Sequence, residues 1–159
     1  MTNQPQDTAR RVRPWLGTIV EISANGPDAV RAVEAAFREI ENVHHLMSFY
    51  EAGSDVARIN TAPPMEPVRV SPHTYEVLTF AHTLSMRSQG QFDITVADKL
   101  VEAGFLPQPE RAEPCAQRPL FSDILLLPEN HVMRRRPVWI DLGGIAKGYA
   151  VDKAVTTLR

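Results

Sequence analysis

Apolar residues recur at steps of three or four through Val30, Val33, Phe37, Ile40, Val43 and Met47, with polar residues between them. That spacing predicts one buried stripe on a helix opening near Pro27. Glu34 and Arg38 fall four apart on the opposite face, where opposite charges support a helix. Upstream, "WLGTIVEIS" (Trp15 to Ser23) is rich in β-branched residues and runs into the turn "ANGPD", which predicts a strand. Downstream, the proline-rich turn "TAPPMEP" leads to a short strand, Val68 to Val70. Ser71 and Pro72 then mark a helix start, since a serine oxygen can accept an orphan amide and proline has none to leave unpaired. This helix should run to about Ser88, with Gly90 taking the left-handed geometry at its end.

"QFDITVADKLVEAGF" gives an extended piece and a short helix. "DILLLPENHVMRRR" reads as two strands joined through "PEN", and "VWIDL" (Val138 to Leu142) as a near-continuous apolar strand. From about Gly144, helical spacing at Ala146, Ala150, Ala154 and Leu158 predicts a last helix. Strands alternating with helices imply an α+β fold with mixed α/β layers around a largely buried sheet. An apolar strand feeding such a helix normally returns to its own sheet, so a further strand is expected beyond Arg159 and the chain reads as the front part of a longer domain.

Composition narrows this picture in a few places. With 159 residues and 43% hydrophobic content there is material for one domain, expected over 15–159 behind a flexible tail at 1–14. The net charge of -2 supplies no broad positive field, which argues against a nucleic-acid or anionic-membrane partner. The run Arg134 to Arg136 flanks an expected strand and reads as a solvated hairpin end. Cys115, the single cysteine, sits in the proline-rich loop from Leu106 to Pro119 and has no internal disulfide partner. The N-terminal stretch has no apolar signal-peptide core, so the expected location of the chain as written is cytoplasmic.

Candidate chemistry centres on "DLGGIAKGYAVD" (Asp141 to Asp152). Two glycines follow the expected strand, and amides at the start of the next helix favour an anion. Lys147 lies on that helix's first turn, and Gly143 and Gly144 allow close backbone approach. The spacing is neither G-x-G-x-x-G nor a P-loop, and a plain tight turn accounts for it as well as a phosphate site does. Asp93, in "GQFDITV", is either a helix cap or a ligand contact. Phe49 and Tyr50 read as core or rim aromatics, Ser54 and Asp55 as caps, and Asn60 as closing a turn. The five histidines form no zinc-binding sequence pattern, and no Gly-x-Ser-x-Gly elbow occurs.

Taken together, "WLGTIVEI", "HHLMSFYEAGSDVARIN", "GQFDITV" and "IDLGGIAKGYAVDKAV" resemble the front half of the FAD:protein FMN transferase (ApbE) family, in the same order. The resemblance implies a T-fold-like flavin transferase fold, incomplete in this chain, with the carboxy-terminal half absent. It implies a Mg2+-dependent transfer of FMN from FAD to a threonine or serine hydroxyl of a target flavoprotein, with release of AMP. By position it places Leu16, Tyr50, Gln91, Phe92, Asp93, Asp141 and Lys147 against FAD, and the Gly144 carbonyl on Mg2+. It tips the glycine turn and Asp93 toward a dinucleotide site. Catalytic residues and the acidic and hydroxyl metal ligands are expected outside these 159 residues, so this fragment should be inactive alone. The alternative is an FAD-binding module or carrier without transferase activity. Exposed apolar surface on an unfinished domain makes a homodimer an expectation, and a periplasmic or membrane-associated setting is the family's alternative location.

Overall fold

A computed structural model describes residues 8–108 and 119–159; Cys115 and most of the proline-rich loop lie outside the described residues. The chain divides into two compact units, Met1–His44 with Lys147–Arg159, and His45–Ala146. Among the described residues no helix is long and apolar enough to cross a membrane.

The first unit holds a two-stranded antiparallel sheet, β1 (Thr8–Trp15) and β2 (Thr18–Asn25), joined by Leu16 and Gly17. Both turn residues are left-handed, at φ 56 and 69, the geometry whose twist matches a tight hairpin. Two expectations are corrected here. The single strand over Trp15 to Ser23 is broken at this turn, and the tail over 1–14 is, from Thr8, strand β1. The segment "TARRVRPW" carries too little alternating apolar character to announce a strand, and only Ala9 within it is buried. Its order comes from the ladder with β2 and cross-strand pairs such as Arg10 with Glu21, 2.7 Å apart.

Helix α1 (Ala29–Met47) buries Val33, Ala36, Phe37, Ile40, Val43 and Met47, as the periodicity predicts, but Val30 in its first turn is 52% exposed. Glu34 pairs with Arg13 of β1 at 2.6 Å, where a pair with Arg38 was expected. The same guanidinium lies 4.5 Å over the Phe37 ring. A tertiary partner that also stacks on an aromatic face outcompetes an exposed intrahelical one. Helix α5 (Ala146–Thr157) buries Ala146, Tyr149, Ala150 and Ala154.

In the second unit, α2 (Asp55–Thr61) is capped by Ser54, whose hydroxyl accepts the Ala57 amide at 2.9 Å. β3 (Val68–Arg69) precedes α3 (Pro72–Arg87), which starts and stops as its sequence predicts. Ser71 accepts the Thr74 amide at 3.0 Å, and Gly90, at φ 78, donates to the Ser85 carbonyl at 2.8 Å. A 3-10 turn (Ile94–Val96) leads into α4 (Ala97–Glu102). β4 (Ile124–Leu127) and β5 (His131–Arg134) form the expected hairpin, with Glu129 and Asn130 both left-handed at its tip. The sheet order is β3-β5-β4, antiparallel throughout. The architecture is therefore mixed α+β built on two small sheets, not one broad buried sheet.

Two further expectations fail. Val138, Trp139, Ile140 and Leu142 are buried as a core strand would be, yet the segment joins no ladder among the described residues. Arg134 is not a solvated hairpin end but 5% exposed, donating from Nη1 to the Val138 carbonyl at 2.7 Å and from Nη2 to the Ala62 carbonyl. Burial pulls its guanidinium pKa below the ordinary value, with the charge of Asp98 opposing.

Candidate functional site

Two stretches far apart in sequence meet at one cavity in the second unit. The loop after α3 supplies Gln91, Phe92, Asp93 and Thr95, and the segment before α5 supplies Asp141 and Gly144. The cavity has a volume of about 320 Å³, near the lower end for small-molecule sites and enough for part of a dinucleotide.

Local chemistry builds the first wall. Gly90 turns the chain out of α3, and the Phe92 amide donates to Ser88 Oγ at 3.0 Å. Asp93 then caps the 3-10 turn: Oδ1 accepts the Thr95 amide at 2.9 Å and the Thr95 hydroxyl at 2.7 Å. Its Oδ2 accepts the Phe121 amide at 3.2 Å, tying the loop to the residues that precede β4. The capping role is thus realised, while Asp93 also lines the cavity.

Asp141 belongs to the segment from Val138 to Leu142, which several parts of the unit anchor. The Val138 carbonyl takes Arg134, a backbone hydrogen bond from Trp139 reaches Asp98, and the Asp141 amide donates to the Ile94 carbonyl at 2.9 Å. Ile140 is paired twice by Asn60: its amide donates to Oδ1 and its carbonyl accepts from Nδ2, both at 2.9 Å. Burial raises the Asp98 carboxyl above its ordinary range, against the Trp139 bond and the charge of Arg134, with Glu102 adding to the rise.

After Leu142 the chain turns. The Ile145 and Ala146 amides both return to the Leu142 carbonyl, at 2.9 and 2.8 Å, and the Gly143 amide donates to Asp141 Oδ2 at 3.1 Å. The turn is therefore not a row of open amides awaiting an anion, because most of its donors are engaged by the chain itself. A Cβ on Gly143 would come 2.9 Å from Asp141 Oδ2, so a side chain there would displace the Asp141 carboxylate. One on Gly144 would meet only the Phe92 ring at 3.6 Å, ordinary contact.

Of the residues expected to face a flavin nucleotide, Gln91, Phe92, Asp93 and Asp141 share this cavity, together with Gly144, the expected main-chain magnesium contact. Tyr50 does not line it: exposed beside Phe49, it donates its hydroxyl to the Phe105 carbonyl at 3.2 Å. Leu16 and Lys147 belong to the first unit, in the β1–β2 turn and as the exposed second residue of α5. Residues that the sequence did not signal are Lys99, a basic residue that lines the cavity, and Asn60, buried where a turn-closing residue was expected. Neither lies in a spacing pattern that chemistry would mark, so only the fold reveals them.

Mg2+ requires about six oxygens in near-octahedral array. Both carboxylate oxygens of Asp93 already accept hydrogen bonds, and among the described residues no group of three carboxylate, histidine or cysteine ligands converges on the cavity. The described residues do not by themselves make a magnesium site.

Comparison with protein families matches residues 16–159 to the ApbE family. A curated FAD:protein FMN transferase of Vibrio cholerae is 32% identical over 130 residues, covering 77% of this chain and 39% of that protein. Among solved structures, the ApbE protein of Thermotoga maritima superposes with a TM-score of 0.83 at 29% identity, over 96% of this chain and 52% of that one. The flavin transferase ApbE of Vibrio cholerae gives 0.82 at 25% identity, over 97% and 54%. The chain spans about two fifths to one half of the length of these relatives.

Proposed function

This chain belongs to the ApbE family, and from that membership we propose that it forms the front portion of an FAD:protein FMN transferase, its cavity holding part of the FAD donor. The enzyme moves FMN to a threonine or serine hydroxyl of a target flavoprotein and releases AMP. The observation that carries the reading is the meeting of Gln91, Phe92 and Asp93 with Asp141 and Gly144 at one cavity. Residues implied by family position on two separate stretches of chain come together where a ligand can enter.

In this reading Asp141 and Gln91 offer polar contacts, Phe92 an aromatic wall, and Lys99 a positive charge toward the diphosphate. Magnesium belongs to the reaction as charge neutralisation for phosphoryl transfer. Because the described residues do not complete its coordination shell, we assign to these 159 residues the binding of FAD and not the transfer step. The same observation favours an FAD-binding module as the activity of the chain in isolation. Leu16, Tyr50 and Lys147 are proposed as FAD contacts by family position alone. Val12 and Ile19, apolar and exposed on the hairpin, are where a second copy would associate.

The test is a titration of FAD against the 159-residue chain, followed by a transfer assay with Mg2+ and a target flavoprotein. Saturable quenching of flavin fluorescence that weakens in Asp141→Ala, without turnover, supports the assignment. Turnover by the chain alone overturns the limit to binding. Binding that Asp141→Ala leaves untouched overturns the site.

A further inference from the structure

Val138, Trp139, Ile140 and Leu142 are buried, but their segment lies in no sheet ladder among the described residues. Its main-chain groups must nevertheless find partners, because an unpaired buried peptide group is costly. At Ile140 both groups are met by one side chain. Asn60 accepts the Ile140 amide and donates to the Ile140 carbonyl, each at 2.9 Å, so its carboxamide does what a neighbouring strand's peptide would do. Asparagine alone fits this role at this reach. Its planar amide presents a donor and an acceptor side by side, whereas aspartate lacks the donor, glutamine is one methylene longer and serine has a single oxygen on a stem too short to reach both groups.

Asn60 is itself held firmly. It is 4% exposed and sits on α2, whose start is fixed by Ser54, donating to the Ser48 carbonyl at 2.6 Å. Asp55 on the same helix accepts the Ser71 amide at 2.8 Å and pairs with Arg58. The next residue along the anchored segment is Asp141, which lines the cavity and accepts the Gly143 amide.

We propose that Asn60 is a positioning residue for the flavin site: by pairing both main-chain groups of Ile140 it fixes where Asp141 projects into the cavity. The proposal rests on the FAD-binding reading above for its ligand, but not for its geometry. Two measurements on the 159-residue chain separate them.

Hydrogen exchange followed by NMR in Asn60→Leu reads the anchor without flavin. Exchange at the Ile140 and Asp141 amides should rise by about tenfold or more, the usual consequence of losing a buried partner, while β4 and β5 amides keep their rates. Unchanged exchange at Ile140 overturns the anchor, whatever the chain binds. FAD titration in Asn60→Leu, Asp141→Ala and the double variant then reads the coupling. If Asn60 acts through Asp141, its substitution weakens FAD binding about tenfold in the parent chain and adds nothing in the Asp141→Ala background. An equal further loss in the double variant overturns the positioning role and leaves Asn60 a general stabiliser. Asn60→Ser, which can restore one of the two bonds, should give an intermediate loss; wild-type affinity in that variant counts against the proposal. A parent chain that binds no FAD sinks the flavin reading, and the exchange experiment still decides the anchor.

Discussion

Asp141 accepts the Gly143 amide at 3.1 Å, and a side chain at Gly143 would meet that same carboxylate at 2.9 Å. The glycine turn is shaped by a group of the chain itself, which sets the rotamer of a cavity-lining residue before any ligand arrives.

Gly143→Ala should therefore act on binding more than on stability. The clash is with the mobile end of the Asp141 side chain, which can swing aside at a cost of about 1 kcal/mol or less. FAD affinity, read by fluorescence titration, should fall severalfold as the carboxylate moves. Gly144→Ala, in ordinary contact with Phe92, should shift urea-unfolding stability by no more than about 0.5 kcal/mol. A larger stability loss at 144 than at 143 would contradict this account.

Leu16 stands at φ 56 in a hairpin turn whose partner, Gly17, is at φ 69. Leucine is disfavoured there and asparagine tolerated, so Leu16→Asn should stabilise the chain by about 0.5 to 1 kcal/mol. If Leu16 also touches flavin, the same change should weaken FAD binding. Thermal unfolding and titration on one variant check both signs. Higher Tm with lower affinity is the expected pair of results.

The buried Asp123 carboxylate accepts Arg136 at 2.6 Å and the Leu120 amide at 2.9 Å. Burial pushes its pKa up, but these hydrogen bonds and the charges of Arg136 and Arg135 together bring it below the ordinary carboxylate range. A depressed folded-state pKa contributes stability above the unfolded value of about 3.9, and that contribution is lost as pH falls through the folded value. Asp123→Asn should cost about 1 to 2 kcal/mol at pH 7 and approach zero cost in acid. Chemical denaturation of both chains across the acid range measures the convergence.

Lys147 is exposed on the first turn of α5. Lys147→Ala should leave the unfolding midpoint within about 0.5 kcal/mol of the parent while lowering FAD affinity, an effect that shrinks as salt is added. Equal affinity at low salt would remove Lys147 from the proposed contacts.

What the sequence determined by itself was the local structure whose causes are local. The apolar stripe of α1 from Val33 on, the Ser71 and Pro72 start of α3, the Gly90 stop and the β4–β5 hairpin all follow from side chains within a few residues of where they act. The block "GQFDITV" likewise announced its cap, because Asp93 reaches an amide two residues away. Tertiary structure decided the rest. β1 is ordered by its partner strand, Arg134 is buried by the carbonyls of Val138 and Ala62, and the run read as a strand from Val138 is held by side chains and scattered main-chain bonds instead of a ladder, with Asn60 reaching across 80 positions to Ile140. Hydrophobicity tells a segment to be inside; which donors and acceptors will meet it there depends on residues that only the folded chain brings near.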